Sequence, residues 1–496
     1  MPLSIPTRGL GENEVLRALD ELKRDDADYE QGRTFSLVYY AGPEHQRLIE
    51  KAYTKFAATN ALNPMAFSSL RRMEAEVVRM TADMLHGDRK VVGTMTSGGT
   101  ESILLSVKTA RDRARALKPK IVKPNIVAPE TIHVAFDKAA QYFGLEMRYA
   151  RLDADLRADV KDMASLVDAS TVLIAASAPQ YPHGVVDPIE EIGALADRKK
   201  IAFHVDACVG GFLLPWVERL GFPIPPWDFR VRGVTSISAD VHKYGFASKG
   251  ASTILYRDMD FLRHQFFVST DWPGGIYASP SIPGTRSGGA IAAAWASLVA
   301  MGENGFLDHT RRAMNASRAL IAGLEQIPEL EVMGRPDATI VAWRTRKSSG
   351  LDVYTLADRL EDRDWNIDRQ QNPPCIHCTV TSNHEGVVEE YLRDLREGVQ
   401  FVKAHPELQS RGNAAMYGMM AKVPFRGMVK KSVLEVMEKM YGPDAARPDL
   451  EMLGGGEDES VVMKLVKSYG DRALGVLDRL NDVRDRFRLT KKRRTQ

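Results

Sequence analysis

The chain has 496 residues, of which 44% are hydrophobic and 27% are charged, and its net charge is +2 at pH 7. This composition is typical of a globular protein with one large and one smaller domain, and the small net charge argues against a protein that binds nucleic acid. Three cysteines are too few for a disulfide scaffold. Residues 1–30 lack an apolar signal segment and no run reaches about 18–20 apolar residues, so we expect a cytoplasmic protein without a membrane span.

Short apolar runs alternate with amphipathic stretches in the first part of the chain. Residues 1–60 predict an extended arm followed by a helix at 44–56. Helical patterns such as 101–115 and 188–199 separate several apolar runs, and this alternation predicts an α/β domain with a mixed, mostly parallel sheet covered by helices. The runs that predict strands are 91–95, 125–128, 172–176, 201–205, 234–238 and 253–256.

The rest of the chain predicts a smaller α+β domain and a tail. Helices at 290–301 and 307–327 precede strands at 331–333, 339–344 and 376–381, and a helix at 385–405 follows. After a glycine break at 454–456, the pattern predicts a helix at 460–486 and a basic end at 491–494. The predicted segments are an arm with a helix (1–60), a large domain (61–310), a small C-terminal domain (311–435) and a helical tail (436–496).

A glycine-rich turn follows the first predicted strand of the large domain. Ser97-Gly98-Gly99-Thr100 leads from this strand into a helix, where backbone N–H groups and the helix dipole favour a phosphate group. The two glycines permit close approach of an anion, and the Thr100 hydroxyl can donate a hydrogen bond. The alternative is an ordinary strand-to-helix turn that Ser97 or Thr100 caps.

Two polar residues further along have positions that suit a ring-shaped cofactor. Asp206 follows the predicted strand 201–205, and a carboxylate there could keep a pyridine nitrogen protonated. His133 precedes a helical stretch at 134–143, where its imidazole could stack on a ring. Both residues have structural alternatives, since Asp206 could cap a turn and His133 could be a hydrogen-bonded structural histidine.

The most informative stretch is Asp240-Val241-His242-Lys243, which follows the predicted strand 234–238. A lysine there can condense with an aldehyde, and we expect burial and neighbouring cations to help its ammonium lose a proton. Lys249 follows six residues later. Alone, Lys243 could be a surface lysine in a loop. A phosphate site, a carboxylate and a lysine in this order predict a site for pyridoxal 5′-phosphate.

With these residues, the sequence resembles the group II pyridoxal-phosphate-dependent decarboxylase superfamily and, within it, the sphingosine-1-phosphate lyases. The resemblance covers about 35–430 of the chain. The stretch 271–280, which reads Asp-Trp-Pro-Gly-Gly-Ile-Tyr-Ala-Ser-Pro, separates such lyases from amino-acid decarboxylases better than the lysine motif does. Further supporting stretches are 38–39, 70–76, 96–102, 133–140, 204–212, 284–286, 302–305 and 416–419.

The resemblance implies a fold type I enzyme, similar to the pyridoxal-phosphate-dependent transferases, that works as a homodimer with shared active sites. Lys243 would hold the cofactor as a Schiff base, His133 would stack on its ring and Asp206 would meet the ring nitrogen. The residues implied around the phosphate are Ser97, Gly98, Gly99, Thr100 and His242 of one subunit and Gly284 and Thr285 of the other.

The resemblance also implies a substrate. A phosphorylated long-chain amino alcohol would be cleaved in retro-aldol fashion to a fatty aldehyde and phosphoethanolamine. Besides Lys243, His133 and Asp206, the resemblance assigns Tyr39 and Lys249 to catalysis. The residues expected to bind substrate are Tyr39, Asn63, Ser177 and Lys249. The basic end at 491–494 could help the protein meet anionic membranes that hold the lipid.

The sequence departs from the lyase pattern at two positions of the implied site. Asn63 stands where the lyases usually have a histidine, and an asparagine carries no charge and relays no proton near neutral pH. Thr285 replaces a usual serine but keeps the hydroxyl. The tail beyond about 450 has no counterpart in the pattern.

Several alternatives stay open at this point. An amino-acid decarboxylase of the same superfamily would share Lys243, Asp206 and His133, although the stretch 271–280 and Lys249 argue against it. A cofactor-binding protein without turnover is the second alternative, which Asn63 keeps open. The pair Cys375 and Cys378 spells a CxxC, but a strand there would place the two thiols on opposite faces, so we expect no metal site.

Overall fold

The computed structural model describes residues 5–24, 26–410 and 426–442. The chain divides into two compact units: Met1–Arg344, Arg363–Asp368 and His377–Asp394 in the first, and Thr345–Asp362, Arg369–Ile376 and Leu395–Gln496 in the second. The domain boundaries predicted at 60, 310 and 435 stay predictions. The predicted helix at 460–486, the basic end at 491–494 and the stretch 416–419 lie outside the described residues.

A seven-stranded sheet occupies the first unit. Its strands are β1 (Val92–Thr96), β2 (Asn125–Pro129), β3 (Glu146–Ala150), β4 (Thr171–Ser177), β5 (Ala202–Asp206), β6 (Ser236–Ala239) and β7 (Ser252–Tyr256). The strand order is β1-β7-β6-β5-β4-β2-β3, and β7 runs antiparallel to both of its neighbours while the other pairs are parallel. The predicted mixed, mostly parallel sheet is therefore confirmed.

The sheet is buried on both faces, as its apolar strands require. In β2, Ile126 and Ala128 belong to one hydrophobic cluster and Val127 belongs to another, because successive side chains point to opposite faces. The helices that precede or connect these strands are α1 (Glu12–Lys23), α2 (Pro43–Lys55), α3 (Ser68–Met84), α4 (Gly99–Leu117), α5 (Ala135–Phe143), α6 (Val160–Leu166), α7 (Ile189–Lys199), α8 (Leu214–Arg219) and α9 (Met259–Leu262). The helices predicted at 44–56, 101–115, 134–143 and 188–199 are confirmed to within one or two residues at each end.

The helical stretch α10 (Gly288–Glu325) consists of two helices that meet at a kink at Gly302, which has the non-helical angles φ 55° and ψ 179°. The prediction of two helices at 290–301 and 307–327 is therefore confirmed with shifted ends. By length and composition α10 could cross a membrane, which corrects the expectation that the chain contains no such stretch. The core helix of a globular protein passes the same test, and α10 packs against α2 and α3 with Phe306 and Leu320 buried.

The later strands form two smaller sheets. The strands are β8 (Phe267–Ser269), β9 (Tyr277–Ser279), β10 (Leu330–Val332), β11 (Ile340–Thr345), β12 (Asp368–Gln370) and β13 (Cys375–Thr379), and the remaining helices are α11 (Val353–Glu361), α12 (Val388–Ala404) and α13 (Arg426–Tyr441). Strands β8 and β9 form a hairpin that the sequence pattern did not predict, and the other sheet has the order β10-β11-β13-β12. The strands predicted at 331–333, 339–344 and 376–381 and the helix at 385–405 are confirmed with shifted ends.

The large sheet brings its functional residues to one edge. The carboxyl ends of β1, β4, β5 and β6 meet there, and the register pairs Ser177 with Asp206 and Asp206 with Ser238. Because β6 lies between β5 on one side and β7 and β1 on the other, the loop after β6 lies between Asp206 and the glycine-rich turn after β1.

Candidate active site

Lys243 lies in the loop after β6 and forms a close ion pair. Its Nζ is 2.9 Å from Oδ2 of Asp240, whose side chain is almost fully buried. Burial by itself would lower the pKa of the Lys243 ammonium, but the Asp240 carboxylate together with Cys208 and Tyr39 outweighs burial and holds this pKa above its ordinary value. The expectation that the surroundings help Lys243 to lose its proton is therefore wrong, because the carboxylate three residues earlier stabilises the ammonium.

His242 faces the glycine-rich turn from the same loop. Its Nδ1 donates to the carbonyl oxygen of Ala251 at 2.7 Å, which leaves Nε2 directed elsewhere, 3.8 Å from Oδ2 of Asp240. A Cβ placed on Gly98 would meet only Cε1 of His242, at 3.9 Å, within 4 Å among the described residues. The space above Gly98 is therefore open and bordered by an imidazole, as an anion site requires.

Gly99 begins helix α4 and tolerates no side chain. A Cβ at this position would lie 2.7 Å from the Cys208 sulfur and 2.8 Å from the Asp240 carboxylate. The first-turn amides of α4, including that of Thr100, have no acceptor inside the helix and carry the positive end of its dipole. The glycine-rich turn is therefore closely packed against Cys208 and Asp240, and the first-turn amides of α4 are available as hydrogen-bond donors.

Ser97 has a different environment from that predicted for a phosphate ligand. Both its backbone N–H and its hydroxyl donate to Oε2 of Glu101, each at 2.7 Å. Oε1 of the buried Glu101 accepts the backbone N–H of Ile282 at 2.8 Å. Glu101, which the sequence pattern did not single out, therefore ties the glycine-rich turn to the segment that precedes Gly284.

Asp206 lies at the end of β5 as predicted and is 7% exposed. Its Oδ1 accepts the backbone N–H of Cys208 at 3.1 Å and the hydroxyl of Ser238 at 3.4 Å. Below it, His204 bonds to Ser236 and Ser238, and burial lowers the pKa of His204 to about 4, so that this imidazole is neutral near pH 7. Neutral donors thus hold a carboxylate at the sheet edge.

Ser177, predicted to bind substrate, is the last residue of β4 and is buried. Its backbone N–H donates to Oδ2 of Asp187 at 2.9 Å, and its register partner is Asp206. The structure therefore places Ser177 beside the carboxylate that was predicted to face the cofactor ring.

His133 lies just before α5 and meets a tyrosine that the sequence interpretation missed. The backbone N–H of Ala135 donates to Nδ1 of His133 at 3.2 Å, and the His133 ring lies edge-on to the Tyr181 ring at 6.4 Å between centroids. Tyr181 interacts electrostatically with Lys243 and Tyr39. Its position four residues after the carboxyl end of β4 was the sequence signal that could have identified it.

Tyr39 and Lys249 lie together, as their shared assignment predicts. The Lys249 ammonium is 5.3 Å from the centroid of the Tyr39 ring and donates to the carbonyl oxygen of Leu37 at 2.6 Å. Burial raises the pKa of Tyr39 to about 12, so its phenol stays protonated. Desolvation and the charge of Lys243 lower the pKa of Lys249 to about 8, so that this amine exchanges protons near physiological pH.

Asn63 and Thr285 form a second group, which we call the rim: residues 60–66 with Gly284, Thr285 and Arg286. Asn63 Oδ1 accepts the backbone N–H groups of Met65 and Ala66, and Asn60 Nδ2 donates to the Thr285 hydroxyl at 3.3 Å. Arg286 pairs with Glu74 at 2.7 Å. Within the described residues, no hydrogen bond or ion pair joins the rim to Lys243.

The residues around Lys243 fit pyridoxal phosphate. We call this group the lysine pocket: Gly98, Gly99, Thr100, Asp206, Asp240, His242 and Lys243. The open space over Gly98, the helix amides and His242 suit the dianionic phosphate, and Asp206 on the other side of the lysine loop suits the ring nitrogen. The Asp240 carboxylate is paired through Oδ2 with Lys243, the residue that would hold the cofactor aldehyde.

Comparison with known proteins identifies the same chemistry. The family model described as "Pyridoxal-dependent decarboxylase conserved domain" matches residues 28–346. The chain is 45% identical to a sphingosine-1-phosphate lyase of Oryza sativa subsp. japonica, over 88% of this chain and 81% of that protein.

Two solved structures are similar to this chain, one in both sequence and fold and the other in fold alone. A sphingosine-1-phosphate lyase of Burkholderia pseudomallei superposes with a TM-score of 0.78 at 38% identity, covering 82% of this chain and 94% of that one. A glutamate decarboxylase of Lactobacillus brevis superposes with a TM-score of 0.70 at 21% identity, covering 80% and 94%, which shows a shared fold alone.

Proposed function

The chain belongs to the sphingosine-1-phosphate lyase family within the pyridoxal-dependent decarboxylases, and from this premise we propose which of its residues perform the reaction. It is a pyridoxal-phosphate-dependent lyase that cleaves sphingosine 1-phosphate into a fatty aldehyde and phosphoethanolamine. The observation that carries this conclusion is an intact lysine pocket in a chain that matches such lyases over most of its length.

The lysine pocket is proposed to hold the cofactor. Lys243 binds its aldehyde carbon, His242 and the amides of Gly99 and Thr100 bind its phosphate, and Asp206 keeps its ring nitrogen protonated. When bound, pyridoxal phosphate withdraws the electron pair of the carbon–carbon bond that breaks. The Asp240 carboxylate holds Lys243 as an ammonium, which must lose a proton before its amine can bind the aldehyde carbon.

Tyr39 and Lys249 are proposed to receive the phosphorylated end of the substrate. Lys249 has a pKa of about 8, so most of its side chain is charged at neutral pH and attracts a phosphate. The Tyr39 phenol, which stays protonated, donates a hydrogen bond beside it. His133 covers the ring of the cofactor, and its contact with Tyr181 fixes the orientation of both side chains.

The rim is proposed to act in the active site of a second subunit. Large apolar side chains are exposed in the single chain, including Met65 of the rim at 87% and, between β8 and β9, Trp272 at 57% and Ile276 at 80%. We propose that a protein contact covers them. In a homodimer, Gly284 and Thr285 reach the cofactor phosphate of the partner, and Asn63 takes the place of the usual histidine.

Location and membrane contact are the remaining parts of the proposal. The three cysteines are buried and form no disulfide among the described residues, which supports a reducing, cytoplasmic environment and a role in sphingolipid metabolism there. A lipid substrate requires contact with membranes, which we propose to be peripheral.

The test is an assay of both products. Purified, cofactor-loaded protein is incubated with sphingosine 1-phosphate, and fatty aldehyde and phosphoethanolamine are quantified together. We expect equal amounts of the two products, because a retro-aldol cleavage yields one of each. A yellow protein that yields neither product, and that releases carbon dioxide from an amino acid, would contradict the proposal in favour of a decarboxylase.

A further inference from the structure

The phenol of Tyr181 is hydrogen-bonded to the carboxylate of Asp368. This phenol donates to Oδ2 of Asp368 at 2.8 Å, and Oδ1 of Asp368 accepts the hydroxyl of buried Ser36 at 3.1 Å. Asp368 begins β12, far from Tyr181 in sequence, so the contact exists only in the folded protein. The hydrogen of the phenol is thereby committed to Asp368, and the Tyr181 oxygen presents a lone pair on its other side.

His377 fixes the plane of the Tyr181 ring. The two rings stack at 4.2 Å with an interplanar angle of 24°, and Nε2 of buried His377 lies 2.7 Å from the Thr379 hydroxyl. Burial lowers the pKa of His377 to about 4, so the ring packs as a neutral aromatic surface near pH 7. The bond to Asp368 at the hydroxyl and the stacking of His377 on the face together restrict the Tyr181 ring, which interacts electrostatically with Lys243.

Among the side chains close to Lys243 that can handle a proton, Tyr181 has a distinct arrangement. The Lys249 ammonium is bonded to a backbone carbonyl oxygen, and Tyr39 interacts with the neutral Thr379 hydroxyl. Tyr181 is hydrogen-bonded to a carboxylate that can take its proton. A phenol alone is a poor base, but a phenol that passes its own proton to a carboxylate accepts one at the same oxygen without becoming an anion.

We propose that Asp368 is a positioning residue of the cleavage, which lets Tyr181 receive the proton of the substrate hydroxyl. The inference rests on the proposed function. The substrate O–H bond breaks as this proton bonds to the Tyr181 oxygen, and the phenol proton of Tyr181 passes to Oδ2 of Asp368. The substrate oxygen becomes the carbonyl oxygen of the aldehyde as the carbon–carbon bond breaks.

Every proton and electron pair that moves in this step is accounted for. The electron pair of the broken bond stays with the amine-bearing fragment, which the cofactor, when bound, would stabilise. The proton held by Asp368 returns through Tyr181 to the carbon of that fragment, which completes phosphoethanolamine. The overall reaction therefore neither takes up nor releases a proton, and Asp368 starts the next turnover as a carboxylate.

The test compares Asp368→Asn with Tyr181→Phe and with the double variant. We expect each single variant to lower kcat by about 10²- to 10⁴-fold, the usual contribution of a positioned acid or base, with KM within about 3-fold of the wild type. The double variant should lose no more than either single variant, because both break the same path. Visible absorbance of the bound cofactor and the Tm should stay at the wild-type values.

Two further variants separate proton transfer from structural support. Ser36→Ala removes the other partner of Asp368 and leaves the phenol–carboxylate bond, so its loss in kcat should be far smaller. Asp368→Glu keeps a carboxylate and should recover part of the activity that Asp368→Asn loses.

Each contrary outcome is decisive. Full kcat in Asp368→Asn, or losses that multiply in the double variant, would overturn the inference. If Asp368→Asn does not fold, Tyr181→Phe alone decides, since wild-type kcat in that variant also refutes the path. A wild-type protein that forms neither product overturns the proposed function and this inference together.

Discussion

The lysine pocket and the rim differ in how completely the groups of a single chain bury and bond their side chains. In the lysine pocket, Asp240 is 2% exposed and Asp206 is 7% exposed, and an ion pair and short hydrogen bonds hold the charged groups in place. In the rim, Met65 is 87% exposed, and the side chain of Asn63 is bonded to its own turn. Both regions carry residues of the implied active site.

This difference supports the proposed division of the site between two subunits. Buried charges on rigid strands give the lysine pocket its order before any ligand arrives, because the sheet edge fixes the positions of Asp206 and the loop after β6. The rim has internal order through Asn60 and Arg286 but no hydrogen bond or ion pair to Lys243 among the described residues. In the proposed dimer, the rim of one copy of the chain meets the lysine pocket of a second copy.

The largest effect is expected in the lysine pocket itself. Lys243→Ala removes the amine that binds the cofactor, so turnover should fall by more than about 10³-fold. Turnover of sphingosine 1-phosphate and visible absorbance of the protein measure the loss. The exposed Lys199 of α7 provides the matched control, since Lys199→Ala should keep full activity. Residual turnover above a tenth of the wild type would show that Lys243 has another role.

Lys249→Ala should cost about 10²-fold in kcat/KM while the cofactor stays bound, because a charged hydrogen bond to the substrate phosphate contributes about 1.5–3 kcal/mol. The rise in KM should account for most of the change. Steady-state kinetics measure the change in kcat and KM, and cofactor absorbance of the same sample shows whether the cofactor stays bound. Loss of the cofactor from this variant would place Lys249 in the lysine pocket instead.

The pH dependence of KM tests the charge of Lys249. Since its pKa is about 8, the ammonium is present below that pH and is lost as the pH rises through it. KM should therefore rise above about pH 8 in the wild type and stay flat there in Lys249→Ala. A rise of kcat through the same pH range would instead identify Lys249 as a base.

A pair of glycine variants probes the cofactor end of the pocket. Gly99→Ala places a Cβ against Cys208 and Asp240, so cofactor affinity should fall by about 10-fold or more, since overpacking costs about 1–3 kcal/mol. Gly98→Ala meets its nearest neighbour, His242, at 3.9 Å, so its Tm without cofactor should stay at the wild-type value, but its Cβ enters the space proposed for the phosphate and should lower cofactor affinity as well. Titration with pyridoxal phosphate measures both affinities, and thermal unfolding without cofactor separates the two causes. An unchanged Tm in Gly99→Ala would contradict the packing described for Gly99.

The smallest effect is expected in the rim. Asn63→Asp keeps the acceptor for Met65 and Ala66 but adds a negative charge, so KM for the phosphorylated substrate should rise by about 3- to 10-fold with an unchanged Tm. Asn63→His restores the usual residue of the lyases and should change KM in the opposite direction. If both variants match the wild type, Asn63 does not face substrate.

The sequence predicted the lysine pocket because its parts are local. A strand followed by a glycine turn, a strand followed by Asp206 and a strand followed by Lys243 can each be identified from neighbouring residues, and a parallel sheet brings their ends together. The ion pair with Asp240 reverses the expected pKa shift of Lys243, since the sequence gives the spacing of these residues but not their orientation. Asp368 gave no signal, because it meets Tyr181 only through the fold.

The helix boundaries show where local pattern succeeds and where it fails. The apolar spacing predicted two helices at 290–301 and 307–327, and α10 has a kink with non-helical φ and ψ at Gly302 between them. The hairpin of β8 and β9 was missed because its strands are three residues long and its tip was interpreted as a motif instead.

The most direct test of the division between lysine pocket and rim is complementation between two inactive variants. Lys243→Ala lacks the lysine, and Thr285→Glu places a carboxylate against the cofactor phosphate of the partner. Co-expressed with different tags and purified as mixed dimers, the two should recover about half of the wild-type activity per dimer, because one of two sites is then intact. Mixed dimers with no activity above either variant alone would contradict the claim that the rim acts in the partner's site.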